Sequence, residues 1–114
     1  MVEATLSDIM AAVPEPMLHL SQSGQVAQAN HAARVLLGDW IEGRSYAAVL
    51  RQPGLLSAIE AAQGGGTETE ARLHLTDQTG ESQFRVRISP VGAPNARGIR
   101  ALLLHLTDIT HLHE

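Results

Sequence analysis

Histidine is the residue type in this chain best able to bind a metal ion. Six histidines are present, and His111 and His113 have a spacing that allows both to chelate one ion, with His105 shortly before them. Transition-metal sites combine several His, Cys or carboxylate ligands. Cysteine is absent here, and no compact set of Asp or Glu residues accompanies the pair. We therefore expect no metal site.

Side chains for acid–base or nucleophilic catalysis are not grouped in the sequence. No carboxylate pair and no Ser/His/Asp arrangement stands out. Glu15, Asp39 and Glu42 fall in predicted loops, where solvation explains them. The absence of cysteine excludes disulfides, thiolate nucleophiles and flavin–cysteinyl photochemistry. The predicted helix 53–63 contains no histidine that could bind a haem iron, so His31 on an earlier helix would have to be the ligand. We predict a protein that is not an enzyme and holds no cofactor.

Composition limits the partners and the interior of the domain. The net charge of −4 and pI near 5.8 offer no basic surface for nucleic acid. Aromatic residues make up only 3% of the 114 residues, so an aliphatic core with a small or filled pocket is expected. No apolar run is long enough to span a bilayer and no signal peptide opens the chain. We expect one soluble, cytoplasmic domain, which is compatible with a parent protein anchored in the inner membrane.

The first thirteen residues have the pattern of an amphipathic helix. Thr5 and Asp8 are spaced as a capping box, and Pro14 ends the helix. The apolar stripe consists of Leu6, Ile9, Met10 and Val13. Such a stripe needs a surface to pack against. Its own sheet and a second copy of the chain both remain open, with dimerisation slightly favoured.

Residues 17–63 are predicted to form two short strands followed by small helices. Strands are expected at 17–21 and 26–29, separated by a turn. Asn30 is placed as the N-cap of a helix over 31–37, which Gly38 stops. An irregular stretch with one helical turn follows. Pro53 suits the first position of the next helix, whose apolar face consists of Leu55, Leu56, Ile59 and Ala62, and the glycines 64–66 end it.

The last 48 residues change to the alternation that is typical of strands. Strands are expected at about 71–75, 84–88 and 99–107, with 90–98 as a loop. The last strand is apolar on both faces, so it should be central and covered on each side. The N-terminal helix is the element left to cover the outer face. A solvated sheet face is expected from Arg72, His74, Arg85 and Arg87, with a partner surface or an anion site as the alternative.

Two stretches of the chain resemble PAS domains. The run from Ser23 to Gly38 is similar to their opening hairpin, Asn-capped helix and glycine, and Asp108-Ile109-Thr110 resembles the signature that closes their last strand. The middle segment, with Gly43-Arg44 and the helix at 53–62, is most like the PAS domain of phosphate-regulon sensor histidine kinases. Ser21 departs from the Asp that many relatives carry, although Ser can make the same local bond.

The resemblance implies an α+β fold: a five-stranded antiparallel sheet with short helices on one face and the N-terminal helix on the other. Residues 1–13 would be a flanking helix, 14–107 the PAS core and 108–114 the start of the output linker. Asp108 and Thr110 would relay signals to that linker.

The resemblance also implies a function: a non-catalytic relay and dimerisation module of a bacterial two-component sensor kinase. The predicted partners are a second copy, the downstream kinase helices and an accessory protein of phosphate transport. The alternative is a small-molecule sensor whose pocket ligand switches the output helix.

Overall fold

The computed structural model of the chain describes residues 5–77 and 80–110. Within these residues the order of elements is the predicted one: a helix, two strands, short helices and three strands. The elements are α1 (Leu6–Ala12), β1 (Met17–Leu20), β2 (Val26–Ala29), α2 (His31–Leu37), a 3-10 turn (Asp39–Ile41), α3 (Tyr46–Leu50), α4 (Pro53–Gly65), β3 (Thr69–Asp77), β4 (Gly80–Val91) and β5 (Ala101–Asp108). None of these helices has the length and apolar character that crossing a bilayer requires.

The five strands form one antiparallel sheet in the order β2-β1-β5-β4-β3. Strand β5 is therefore central, as its apolar residues on both faces predicted. It pairs with β1 from Met17 opposite His105 to Leu20 opposite Leu102, and with β4 along its whole length. The predicted α+β class and five-stranded antiparallel sheet are confirmed.

The core lies between one face of the sheet, called here the inner face, and helices α2 to α4. Alternate strand residues point into it, as period two requires. On β5 these are Leu102, Leu104 and Leu106, each with no exposed surface. Leu55, Ile59 and Ala62 of α4 are equally buried against them. The predicted buried face of this helix is confirmed, with Leu56 only partly buried.

Helix ends follow local sequence signals. The capping box of Thr5 and Asp8 forms, and the Ser45 side chain accepts from the Ala47 amide at 3.2 Å to start α3. Gly38 ends α2 with φ at 113°, and a Cβ there would lie 2.4 Å from the Trp40 ring. Only glycine fits this position, because both the backbone and the neighbouring ring exclude a side chain.

Three predicted boundaries were wrong. Helix α4 runs through Gly64 and Gly65 and stops only at Gly66. Strand β4 includes Pro90, which the sequence placed in a loop, and β5 spans 101–108 instead of 99–107. The backbone nitrogen of Pro90 faces the side of β4 where β3 has not yet begun, since Thr69 lies opposite Ile88. No ladder hydrogen bond is lost there, so the strand tolerates proline.

The β2 edge of the sheet is covered by the segment that follows α2. Backbone bonds join Val26 to Arg44 and Gly43 at 2.8 and 2.7 Å. Glu42 accepts from the Ala29 amide at 3.3 Å. The prediction that Glu42 serves only solvation was therefore wrong, because its carboxylate satisfies a backbone donor on an edge strand.

Candidate signal-relay site

The Asn30 side chain joins three elements. It is only 5% exposed, and its Oδ1 accepts from the Ala33 amide at 3.0 Å, which caps α2 as predicted. The same oxygen accepts from the Met17 amide at 3.0 Å, at the start of β1. Its Nδ2 donates to three carbonyls of the segment that precedes β1, those of Met10, Val13 and Glu15, at 3.1, 3.2 and 2.8 Å. We call this set of bonds the Asn30 junction.

The segment between α1 and β1 is also tied to the central strand. Glu15 Oε1 lies 2.9 Å from His105 Nε2 on β5. The Pro16 carbonyl accepts from the Leu106 amide at 3.0 Å. Pro14 and Pro16 flank Glu15 and restrict the backbone on either side of it. The prediction of solvation for Glu15 was therefore wrong, since its carboxylate contacts a histidine that lies 90 residues away in sequence.

The end of β5 folds back onto β4. Asp108 Oδ1 accepts from the amide and the hydroxyl of Thr110 at 2.9 and 2.5 Å. The Thr110 hydroxyl in turn accepts from the Gln83 amide at 3.1 Å, and the Ile109 amide donates to the Gln83 carbonyl at 2.9 Å. Asp108 is the last residue of β5 and not the first residue beyond it. Asp108 and Thr110 thus fix where the chain leaves the sheet.

The four apolar residues of the α1 stripe have different environments. Met10 is 2% exposed, Leu6 and Val13 are half-buried, and Ile9 is 53% exposed. Met10 lines a cavity of about 170 Å³ together with Gln28 of β2. The stripe is therefore only partly covered by its own chain, and Ile9 remains available to another molecule.

A groove of about 310 Å³ lies on the outer face of the sheet, beside the end of α1. Its apolar lining comes from Val13, Met17 and Leu103, and its polar lining from Arg87, Ser89 and His105. The sequence predicted that this outer face needs a cover, because β5 is apolar on both faces.

Two polar atoms near α1 are buried without a hydrogen bond in the described part of the chain: His19 Nδ1 and Gln28 Oε1. The two residues are paired across β1 and β2, and His19 lies opposite Leu103 on the outer face. Burial lowers the pKa of His19 below its ordinary value, because the charged form loses its hydration.

The predicted arginine face is present on β3 and β4. Arg72 pairs with Arg85 in the register of the two strands. Glu70 lies 3.1 Å from Arg85, and Glu68 lies 3.0 Å from Arg87. These ion pairs are solvated and neutralise much of the positive charge, so the arrangement supports a solvated face more than an anion site.

Metal-ligating side chains do not gather within residues 5–77 and 80–110: no three of them come together there. His111 and His113 lie outside the described residues.

Solved structures with a similar fold are numerous. An RNA-binding light-oxygen-voltage receptor matches with a TM-score of 0.69 and 19% identity over 92% of this chain and 32% of that one. The PAS domain of BvgS from Bordetella pertussis matches at 0.66 and 17%, over 94% of this chain and 85% of that domain. The PAS domain of nitrogen regulation protein NR(II) from Vibrio parahaemolyticus matches at 0.61 and 17%, over 93% and 100%.

This chain has a PAS fold. The evidence is structural, because no family model and no protein of curated function matches the sequence. The chain spans about a third of the light-oxygen-voltage receptor. At these identities the likeness shows the fold alone.

Sequence reasoning located the helix cap at Asn30 but missed the long-range contacts of the fold. Asn30, Asp108 and Thr110 were each located by local patterns, namely a helix start and a strand end. The bonds from Asn30 to the α1–β1 segment and from Glu15 to His105 join residues distant in sequence, and a single sequence carries no signal for them. The only available hint was Pro-Glu-Pro at 14–16, which marks a restricted backbone.

Proposed function

We propose that this PAS-fold chain is a non-catalytic signal-relay and dimerisation module of a two-component sensor histidine kinase. The fold it shares with PAS domains of regulatory proteins supports a sensory role. The phosphate-regulon type and the downstream kinase helices rest on the sequence resemblance, and a cytoplasmic location is part of the same proposal. An accessory protein of phosphate transport belongs to the same proposal.

The observation that carries the proposal is that both flanks of the domain are bonded to neighbouring strands. The N-terminal flank is held at β1 by the Asn30 junction and at β5 by Glu15. The C-terminal flank is held at the end of β5 by Asp108 and Thr110. A displacement of α1 therefore acts on the strand from which the output segment leaves.

Relay in this arrangement requires two geometries of the flanks with similar free energies. A signal shifts their populations only if it stabilises one of them more than the other. Hydrogen bonds to exposed or half-buried groups, such as Glu15 with His105, are exchanged for bonds to water at modest cost. The Asn30 junction is buried, so it would keep α1 and β1 moving as one unit.

The interior supports relay more than ligand sensing. The buried residues between sheet and helices are aliphatic apart from Phe84, and Tyr46 packs against them from the edge of the core. Asn30 is the only buried polar residue in the described part of the chain, and both ends of its amide are occupied by bonds within the protein. A small-molecule site normally needs a few converging polar groups, so the alternative of a pocket ligand has less support.

The dimer part of the proposal depends on Ile9. We expect native mass spectrometry of the purified chain to show a dimer without added mass, and Ile9→Asp to give a folded monomer. A charged side chain at a buried apolar contact removes burial and adds a desolvation cost. Val35→Asp is the matched control, since Val35 is also apolar, helical and 72% exposed, but on α2.

Each outcome of this experiment decides between the functions. A dimer that persists in Ile9→Asp places the interface elsewhere, and a monomeric wild-type chain contradicts the dimerisation module. Mass retained only under native conditions favours the ligand-sensing alternative.

A further inference from the structure

Strand β3 lies at the edge of the sheet opposite β2, and one row of its backbone groups points away from β4. His74 belongs to that row. The side-chain amide of Gln52 bonds to it as a neighbouring strand would: Oε1 accepts from the His74 amide at 3.0 Å, and Nε2 donates to the His74 carbonyl at 2.6 Å. A paired strand residue makes the same two bonds. We call this contact the Gln52 edge cap.

The edge cap is attached to a strained segment between α3 and α4. Arg51, directly before Gln52, has φ at 60° and is the one non-glycine residue with positive φ in the described ranges. This left-handed conformation is unfavourable for a residue with a side chain. The backbone amide of Gln52 also donates to the Leu50 carbonyl at 2.7 Å, which closes a tight turn. Arg51 is the C-cap of α3, so this conformation ends that helix and leads directly into Gln52, the N-cap of α4.

The charges along β3 favour a second copy of the same strand as its partner. Antiparallel pairing about a two-fold axis at Ala71 places Arg72 of the second copy opposite Glu70, beside the existing Glu70–Arg85 ion pair. It also places His74 opposite Glu68, and each pair occurs twice. A two-fold axis at Arg72 would instead set two arginines against each other. Opposite charges across a strand pair are favourable and like charges are not. Charge therefore selects the register centred on Ala71.

We propose that β3 pairs antiparallel with β3 of a second copy of this chain, and that the Gln52 edge cap restricts this pairing. With the cap in place the pairing is limited to the stretch before His74. When Gln52 withdraws, the pairing extends to His74, which then lies opposite Glu68 of the second copy. This surface is separate from α1. While the cap restricts it the pairing is transient, so cross-linking detects it and Ile9→Asp is still expected to be a monomer in native mass spectrometry.

A single introduced thiol tests the contact, because the chain contains no cysteine. In the proposed register, Ala71 faces Ala71 of the second copy in a non-hydrogen-bonded pair. The Cα atoms of such a pair lie about 4.5 Å apart, which suits a disulfide. We expect Ala71→Cys to form covalent dimers under mild oxidation. Adding Gln52→Ala should raise the rate about tenfold, which corresponds to the loss of one or two hydrogen bonds.

Three further substitutions sharpen the test. Ser57→Cys, an exposed position on α4, gives the rate of random collision. Glu70→Arg should slow cross-linking through Ala71→Cys, and adding Arg72→Glu should restore it by reversing both charges.

Two results would overturn the proposal. If Ala71→Cys with Gln52→Ala reacts no faster than Ser57→Cys with Gln52→Ala, β3 does not pair with itself. If Gln52→Ala leaves the rate of Ala71→Cys unchanged, Gln52 does not restrict the edge. Circular dichroism establishes that each variant is folded. Should Gln52→Ala unfold, Gln52→Glu serves instead, since its carboxylate accepts from the His74 amide but has no donor for the carbonyl.

Discussion

At the scale of single residues, Asn30 shows how one side chain serves both local and long-range structure. Its bond to the Ala33 amide is a local helix cap, and the sequence predicts it because the partner is three residues away. Its bonds to the α1–β1 segment cross up to 20 residues. They arise from packing that only the folded chain brings about. A capping residue buried this deeply is better described as a structural junction.

Replacement of Asn30 by Ser separates these two contributions. Serine still caps α2, but its single, shorter hydroxyl cannot replace the amide's bonds to three carbonyls, so we expect a loss of about 3 kcal/mol in the free energy of unfolding. Ser45→Ala, which removes a cap without such carbonyls, should cost about 1 kcal/mol. Urea denaturation measures both. A stability of Asn30→Ser equal to that of the unchanged protein would mean that the bonds to the α1–β1 segment contribute nothing.

His19 makes stability depend on pH. Burial lowers its pKa, so the unfolded chain binds the proton more readily than the folded one. The free energy of unfolding is therefore highest above the ordinary pKa of 6.5 and falls as the pH decreases through that value towards the lowered pKa.

His19→Gln should reduce this decrease between about pH 7.5 and about pH 5.5, as measured by urea denaturation at each pH. The Glu15–His105 contact is present in both proteins, so the comparison isolates the contribution of His19. An identical decrease in the two proteins would show that His19 does not titrate as its burial requires.

At the scale of elements, the sequence predicted the type and order of every helix and strand in the described residues, because periods of 3.6 and two differ clearly. The boundaries were less predictable. Pro90 looked like a loop residue, and only the start of β3 at Thr69 explains why a strand accepts it. The glycines at 64 and 65 continue α4, since the α4 residues before them are already anchored in the core.

Two glycines at helix ends should respond in opposite ways to alanine. Gly38→Ala should destabilise the protein by about 2 kcal/mol or more, because its φ of 113° disfavours a side chain and Trp40 occupies the space of the Cβ. Gly64→Ala should stabilise by about 0.5 to 1 kcal/mol, since that position is helical, with no atom within 4 Å of an added Cβ. Thermal unfolding followed by circular dichroism distinguishes them. Shifts of the same sign would contradict the backbone argument.

At the scale of the whole molecule, apolar surface remains in places that suggest assembly. Ile9 is exposed on α1, and an apolar groove lies beside the end of that helix on the outer face of the sheet. The sequence predicted that the apolar stripe of α1 needs a partner, but it did not show which of its residues the chain itself buries. The structure buries Met10 and exposes Ile9, which makes Ile9→Asp a cleaner test than replacement of the whole stripe.

The two flanks of the domain leave the sheet at the same end. Met17, at the start of β1, lies opposite His105 near the end of β5, and the strands are antiparallel. Tension applied between the flanks would therefore pull β1 and β5 apart from that end, opening their hydrogen bonds one after another, starting from the bond between Leu106 and Pro16. Strands loaded in this zipper geometry separate at much lower force than strands sheared along their length. A weak mechanical pull on the two flanks would thus act directly on β5, the central strand of the sheet.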